Sequence, residues 1–347
     1  MAGDAEKMGV EILTPPTLYL HFRGLPLLLG LPITGPHMLW TFIVNQPRFV
    51  HFFLPAAYII GAPIALMARI PFPVMSRRSV ANYSKNRPFM RAIERWLHKR
   101  MTAVTGNSQR IIRELIDDEG ADPRRTGLIY NGVSLKRFAR SKSSDAKLKF
   151  EDLSGKAFVG VVVANLIPYK GHADLIEALS LVKDQLPTPW IVLFAGRDDG
   201  IGSQLIHLAR HHGIGENVRL LGSRTDIPDL LAAADIGILS SHEEGFSNAV
   251  LEGMAAGLPM VVTDVGGNAE AVRDGLDGYT VPARDPAALA QAIAKLANDR
   301  QLAIAMGASA RQRAEELFSI EACIANYERF YLGLSEGRAA ADVAPHN

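Results

Sequence analysis

The chain of 347 residues carries a single cysteine, Cys323, only three tryptophans, and charges that nearly cancel. One thiol excludes an internal disulfide, so packed cores must hold the fold, and it suits a reducing compartment. Cys323 falls in a predicted helix and is expected to be inert packing. With 37 Lys and Arg against 36 Asp and Glu, the net charge of +1 gives no global drive toward nucleic acid. Long apolar runs are missing as well. Residues 52–70 are broken by Pro55 and Pro63, and residues 25–35 by Pro26 and Pro32. Neither reaches the roughly 20 apolar residues that a membrane-spanning helix requires. The first is expected to be a strand end followed by a buried helix. Residues 1–7 are polar, unlike a leader peptide. The expected location is the cytoplasm.

What is present is an ordinary globular composition, 48% hydrophobic and 21% charged, on a chain long enough for two cores. Short apolar runs alternate with helical patterns, which predicts parallel sheets flanked by helices, an α/β class. In residues 1–140 strands are expected at 10–13, 49–53, 72–75, 102–105 and 128–130, with helices over 88–101 and 108–119. Residues 141–155 are polar and weakly patterned and read as a linker. Residues 156–317 repeat the alternation more clearly, with strands at 158–163, 191–194, 218–221, 236–239 and 260–263. Residues 318–334 read as a terminal helix, and the alanine-rich 335–347 as a disordered tail.

The densest chemistry follows the 236–239 run, in Ser241-His242-Glu243-Glu244-Gly245-Phe246-Ser247-Asn248 and on through Glu252 to Gly257-Leu258-Pro259. A helix should begin near Ser247 or Asn248, either of which can cap it, and end at Gly257 and Pro259. Glu244 then stands before the helix and Glu252 on its second turn, so both can face one cleft. Between them the helix offers bare N–H groups and the positive end of its dipole, a seat for phosphate. Two carboxylates flanking an anion seat suit a nucleotide sugar. Equally, they could be two solvated acids on a capped helix.

The Glu-x7-Glu spacing inside Glu-Gly-Phe-Ser-Asn…Leu-Glu-x-Met-Ala-x-Gly-Leu-Pro resembles the signature of family-4 (group 1) retaining glycosyltransferases of the GT-B fold. That fold has two doubly wound Rossmann-like domains with a cleft between them. The resemblance covers roughly residues 10–332. It includes Asn107-Ser108, the exit string Leu128-Ile129-Tyr130-Asn131-Gly132-Val133, and the loop Asn165-Leu166-Ile167-Pro168-Tyr169-Lys170-Gly171. It implies transfer of a sugar from a nucleoside-diphosphate sugar, of UDP or GDP type, to a lipid-linked, polysaccharide or other glycan acceptor. Lys170 would neutralise the donor's diphosphate, Glu244 would hold the sugar hydroxyls and Glu252 the ribose. Gly245, Phe246, Ser247 and Asn248 would complete the donor site, with Arg224 near the base. Where many relatives carry an arginine this chain has Asn165. His51, at a strand end, would approach the transferred sugar, or else is a satisfied core histidine. The terminal helix would cross back to brace the first domain. No Asp-x-Asp pair occurs, so neither a metal nor another cofactor is expected.

A basic tract begins at Arg77-Arg78-Ser79 and continues through Lys85, Arg87, Arg91, Arg95, Lys99 and Arg100 against one acid, Glu94. On a helix, Phe89, Ile93, Trp96 and Leu97 would share an inward stripe and Arg91, Arg95 and Lys99 an outward one. That face could rest on an anionic membrane surface or bind an acceptor phosphate, or be merely solvated. At the N-terminus, the family's opening strand and glycine-rich loop have no counterpart before residue 10. A misplaced start is expected, or else a weakly active remnant. A non-catalytic relative, a phosphorylase and a sugar-nucleotide epimerase remain open alternatives.

Overall fold

The computed structural model describes residues 26–79, 88–138, 155 and 157–346. In the first half, α1 (Pro26–Asn45) leads to β1 (Phe49–Phe52), α2 (Pro55–Met67), β2 (Phe72–Arg77) and α3 (Pro88–His98). Then come β3 (Ala103–Gly106), α4 (Gln109–Arg113), β4 (Thr126–Leu128) and α5 (Leu135–Phe138). The strands pair in parallel in the order β1-β2-β3-β4. The strand expected at 10–13 lies outside the described residues. The helix expected over 108–119 continues past α4 as a π turn, Glu114–Asp118.

The second half is built the same way. Its elements are β5 (Phe158–Val163), α6 (His172–Val182), β6 (Trp190–Ala195), α7 (Gly202–His211), β7 (Val218–Gly222), α8 (Ile227–Ala233), β8 (Ile236–Leu239), α9 (Asn248–Ala255), β9 (Met260–Thr263), α10 (Asn268–Ala271) and β10 (Gly278–Val281). All six strands are parallel, in the order β10-β9-β8-β5-β6-β7. Alternation on β5 divides the core. Val159 and Val161 pack with Val250, Leu251 and Met254 of α9, while Phe158 and Val162 pack with Leu175 and Leu179 of α6. Both faces of the sheet are therefore dry, which is why its strands read as unbroken apolar runs. Strand order reverses between β5 and β8, and the C-terminal ends of those two strands open the crevice where ligands collect in such sheets.

Helices α11 (Pro286–Asn298), α12 (Arg300–Leu317) and α13 (Ile320–Ser335) follow. Helix α13 returns to the first half, where Phe330 and Leu334 pack against Val74, Ala103 and Ile129. The tail expected to be disordered is instead folded. Helix α14 (Ala340–Val343) buries Ala340 and Val343, and the Leu128 amide donates to the Ala344 carbonyl at 2.9 Å. Small apolar residues and an otherwise open edge at β4 give this alanine-rich segment something to cover. The two halves meet through Glu270, whose carboxylate accepts from the amides of Gln109 at 2.7 Å and Arg110 at 3.0 Å. An acid of the second half thus caps a helix of the first.

Phe330 is fully buried. Phe330→Ala should destabilise the first half by about 3–5 kcal/mol, the usual cost of emptying a large aromatic site. A thermal unfolding midpoint that does not move would mean that α13 does not brace that sheet.

Candidate functional site

Two loops fill the crevice at the switch point. The loop after β5 carries Tyr169 and Lys170, and the loop after β8 runs from Ser240 to Ser247. They are stitched together: the His242 amide donates to the Tyr169 carbonyl at 2.7 Å, and the Ser240 hydroxyl to the Gly171 carbonyl at 2.9 Å. Gly171 has φ +66°, and a Cβ there would strike the Ser240 carbonyl, so the close approach requires glycine.

This packing sets Lys170 Nζ 2.6 Å from Glu244 Oε1, which also accepts from the Ser241 hydroxyl at 2.7 Å. Both charged side chains are mostly buried, at 17% and 10% exposure, yet they line an open cavity of about 750 Å³. Around them lie Arg78, Asn131, Phe246, Ser247 and Asn248. Ser247 is the first residue before α9, but its side chain makes no capping hydrogen bond. Asn248 does not cap either; its amide oxygen accepts from Asn131 Nδ2 at 2.9 Å. The first N–H groups of α9 therefore keep their positive field for a ligand.

The structure does not gather every expected residue into this cavity. Glu252 lies one turn beyond Asn248 on α9 and is absent from the cavity wall. Burial pushes its carboxyl up, opposed by Arg137. Asn165 Oδ1 accepts from the Arg197 amide at 3.1 Å, so that side chain is spent on the backbone. Arg224 is paired with Asp226 at 2.8 Å and is not among the residues lining the cavity. His51 is set between Tyr331 at 2.6 Å and Ser76 at 2.7 Å, with Phe53 stacked on it. It too is outside the cavity wall. Burial, assisted by the Arg78 charge, lowers its pKa to about 4.

Residues that motif reading passed over stand at the centre. Asn131 donates from Nδ2 to the Phe246 carbonyl at 3.0 Å and accepts on Oδ1 from Arg78 at 2.5 Å. It joins the halves across the cleft. Its position in an Asn-Gly turn directly after a strand was the available signal. Arg78 was visible only as one cation of a tract.

That tract is not a single surface. Arg77 is buried and pairs with Glu94 at 3.1 Å and Glu119 at 2.7 Å, and His98 contacts Glu119 at 2.8 Å. Lys85 and Arg87 lie outside the described residues. Arg91, Arg95 and Lys99 do share one outer face of α3. The inward stripe is only half as expected: Leu97 is buried, but Phe89 is 75% and Trp96 48% exposed. Leu97 and Ile93 turn toward the α2 cluster and Glu94 and His98 toward the Arg77 network, which leaves those two aromatics outside.

With this geometry in hand, likeness to known proteins becomes informative. The family descriptions "Glycosyltransferase Family 4" and "Glycosyl transferases group 1" match residues 4–137 and 144–313. The chain belongs to the group 1, family-4 glycosyltransferases. It is 31% identical to a D-inositol 3-phosphate glycosyltransferase of Salinispora arenicola, over 70% of this chain and 56% of that protein. It is 26% identical to an Escherichia coli UDP-Gal:alpha-D-GlcNAc-diphosphoundecaprenol alpha-1,3-galactosyltransferase, over 80% and 73%. The chain thus spans little more than half the length of the first of these relatives. Among solved structures, HepE of Anabaena in complex with UDP superposes with a TM-score of 0.80 at 24% identity, covering 96% and 89%. That likeness shows the two-domain GT-B fold.

The lowered pKa of His51 makes a pH prediction. An unfolded histidine takes up its proton near pH 6.5, whereas folded His51 does so only near pH 4. Between those values the unfolded chain binds the extra proton, so stability should fall as pH drops from 6.5 toward 4. His51→Gln should show a shallower decline of melting temperature over that window. Parallel profiles for the two proteins would overturn the assignment.

Proposed function

We propose that this chain transfers a sugar, with retention, from a UDP- or GDP-type sugar to a lipid-linked or other glycan acceptor. The observation that carries the reading is the Lys170–Glu244 pair beside the uncapped start of α9, inside the cleft at the strand-order switch. On this reading the ammonium of Lys170 and the N–H groups of α9 face the diphosphate and stabilise the charge it gains on leaving. Glu244 receives the sugar hydroxyls. Glu252, half-buried on α9, receives the ribose hydroxyls. The acceptor oxygen bonds to the anomeric carbon as the bond to the diphosphate breaks, and the acceptor's proton passes to the departing diphosphate oxygen on the same face. The protein's contribution is position and charge. The proposal includes no divalent ion, since the sequence has no Asp-x-Asp pair and the positive charge comes from the chain itself.

Calorimetry separates the roles. Glu252→Ala should weaken nucleoside-diphosphate binding by roughly 1.5–3 kcal/mol, the loss of a charge-assisted hydrogen bond. Glu244→Gln should bind UDP or GDP at least as well as the unaltered chain, because it frees Lys170. Its transfer rate should nevertheless fall by about a hundredfold. Equal losses of nucleotide affinity in both variants would overturn this division.

We further propose peripheral attachment to an anionic membrane surface through α3. Among the described residues no helix is long and apolar enough to cross a membrane. Arg91, Arg95 and Lys99 stand beside exposed Trp96, with the Arg100 guanidinium 3.9 Å over its ring and Phe89 also exposed on α3. Cations flanked by exposed aromatics suit a lipid interface, each cation contributing about 1 kcal/mol near anionic lipid. Reversing all three charges should abolish flotation with phosphatidylglycerol liposomes. Unchanged flotation would reduce the face to a solvated helix.

A further inference from the structure

Among the described residues, Arg78 is the one cation that the first half contributes to the wall of the cleft. It follows directly on β2 and faces the loop that holds Glu244, close enough that a Cβ on Gly245 would sit 2.5 Å from the Arg78 carbonyl. Among the described residues its guanidinium donates one hydrogen bond, to Asn131 Oδ1 at 2.5 Å, and lies 5.7 Å over the Phe53 ring. No carboxylate pairs with it among the described residues. A guanidinium has five N–H donors, so most of Arg78's remain for a ligand. The other cation of the wall, Lys170, is already matched by Glu244. Asn165 brings no charge and its side-chain oxygen is taken by the Arg197 amide. Among the described residues of the wall, a doubly charged diphosphate therefore meets one compensated lysine, a helix start and the guanidinium of Arg78.

We infer that Arg78 binds a phosphate group in the cleft, supplying from the first half a second cation beside Lys170. The inference rests on the function proposed above. The geometry suits it: a planar fork held at one end by Asn131 presents parallel donors, which fit two phosphate oxygens. Asn131 also donates to the Phe246 carbonyl and to Asn248 Oδ1, so the guanidinium is positioned relative to the start of α9 by residues of both halves. Phosphate bound there would touch both halves at once and draw the cleft together. The phosphate can belong to the donor's diphosphate or to a phosphate-bearing acceptor, and the chemistry of recognition is the same.

Titration calorimetry on the full chain distinguishes the two, using Arg78→Gln and Arg78→Lys. Arg78 is exposed and outside the cores, so both variants should melt with the unaltered chain. The probes are the tightest-binding of UDP, GDP and ADP, the matching monophosphate, and N-acetylglucosamine 1-phosphate titrated into nucleotide-saturated protein. If the phosphate is the donor's, Arg78→Gln should lose about tenfold or more in diphosphate affinity and much less for the monophosphate. Arg78→Lys should recover only part of it. If it is the acceptor's, diphosphate affinity should hold and binding of the sugar phosphate should fall by about tenfold. Diphosphate affinity within twofold of the unaltered chain, together with no Arg78-dependent binding of the sugar phosphate, overturns the inference and leaves the proposed function standing. An unaltered chain that binds none of the three diphosphates overturns the function itself, and the inference with it.

Discussion

The ion pair between Lys170 and Glu244, at 2.6 Å, depends on a reversal of strand order and in turn organises the cleft. Strands β5 and β8 are neighbours in the sheet although more than seventy residues separate their starts, and their loops leave the same end. A lysine and a glutamate from those loops therefore meet in one crevice. At 17% and 10% exposure the pair is sheltered enough for its attraction to outweigh screening, yet it borders open volume. Such a pair can exchange partners with an incoming anion, since each charge has an alternative that restores its balance. A fully buried pair could not do so without leaving a bare charge behind.

The second half positions this pair on two loops stitched together at the switch point, and the first half meets it through hydrogen bonds and through Tyr130, Val133 and Phe138, which pack with Phe246, Phe318 and Val250. Asn131 reaches the Phe246 carbonyl, Glu270 reaches the amides of Gln109 and Arg110, and Val133 exchanges backbone bonds with residues 318 and 320. Helix α13 adds the apolar brace through Phe330.

Burial also separates two groups of charges that look alike in a sequence. Arg77 and Arg78 are adjacent, but β2 turns the first into a buried network with Glu94 and Glu119 and leaves the second at the cleft. Alternation along a strand end decides this. On α3 the same network draws Glu94 inward, so the outer face keeps Arg91, Arg95 and Lys99 without that acid.

The sequence by itself determined the α/β class, most strands of both sheets and the helix that starts at the Ser247–Asn248 turn. Apolar runs of period two or none, bounded by turn residues, carry that information locally. It also carried Lys170 and Glu244, because the strings around them are long and ordered. The short edge strand β10, with half-buried Tyr279 and Thr280, has no such pattern and was not legible. Neither was the folding of α14 onto the β4 edge, since alanine-rich polar segments acquire order only from the surface they cover. Which expected residues share one wall was decided by tertiary structure alone. His51 is held by Tyr331 and Ser76 and Arg224 by Asp226, while Arg78 and Asn131 are brought in from the first half. Contacts between residues a hundred positions apart depend on how two sheets are docked, and no local period encodes that.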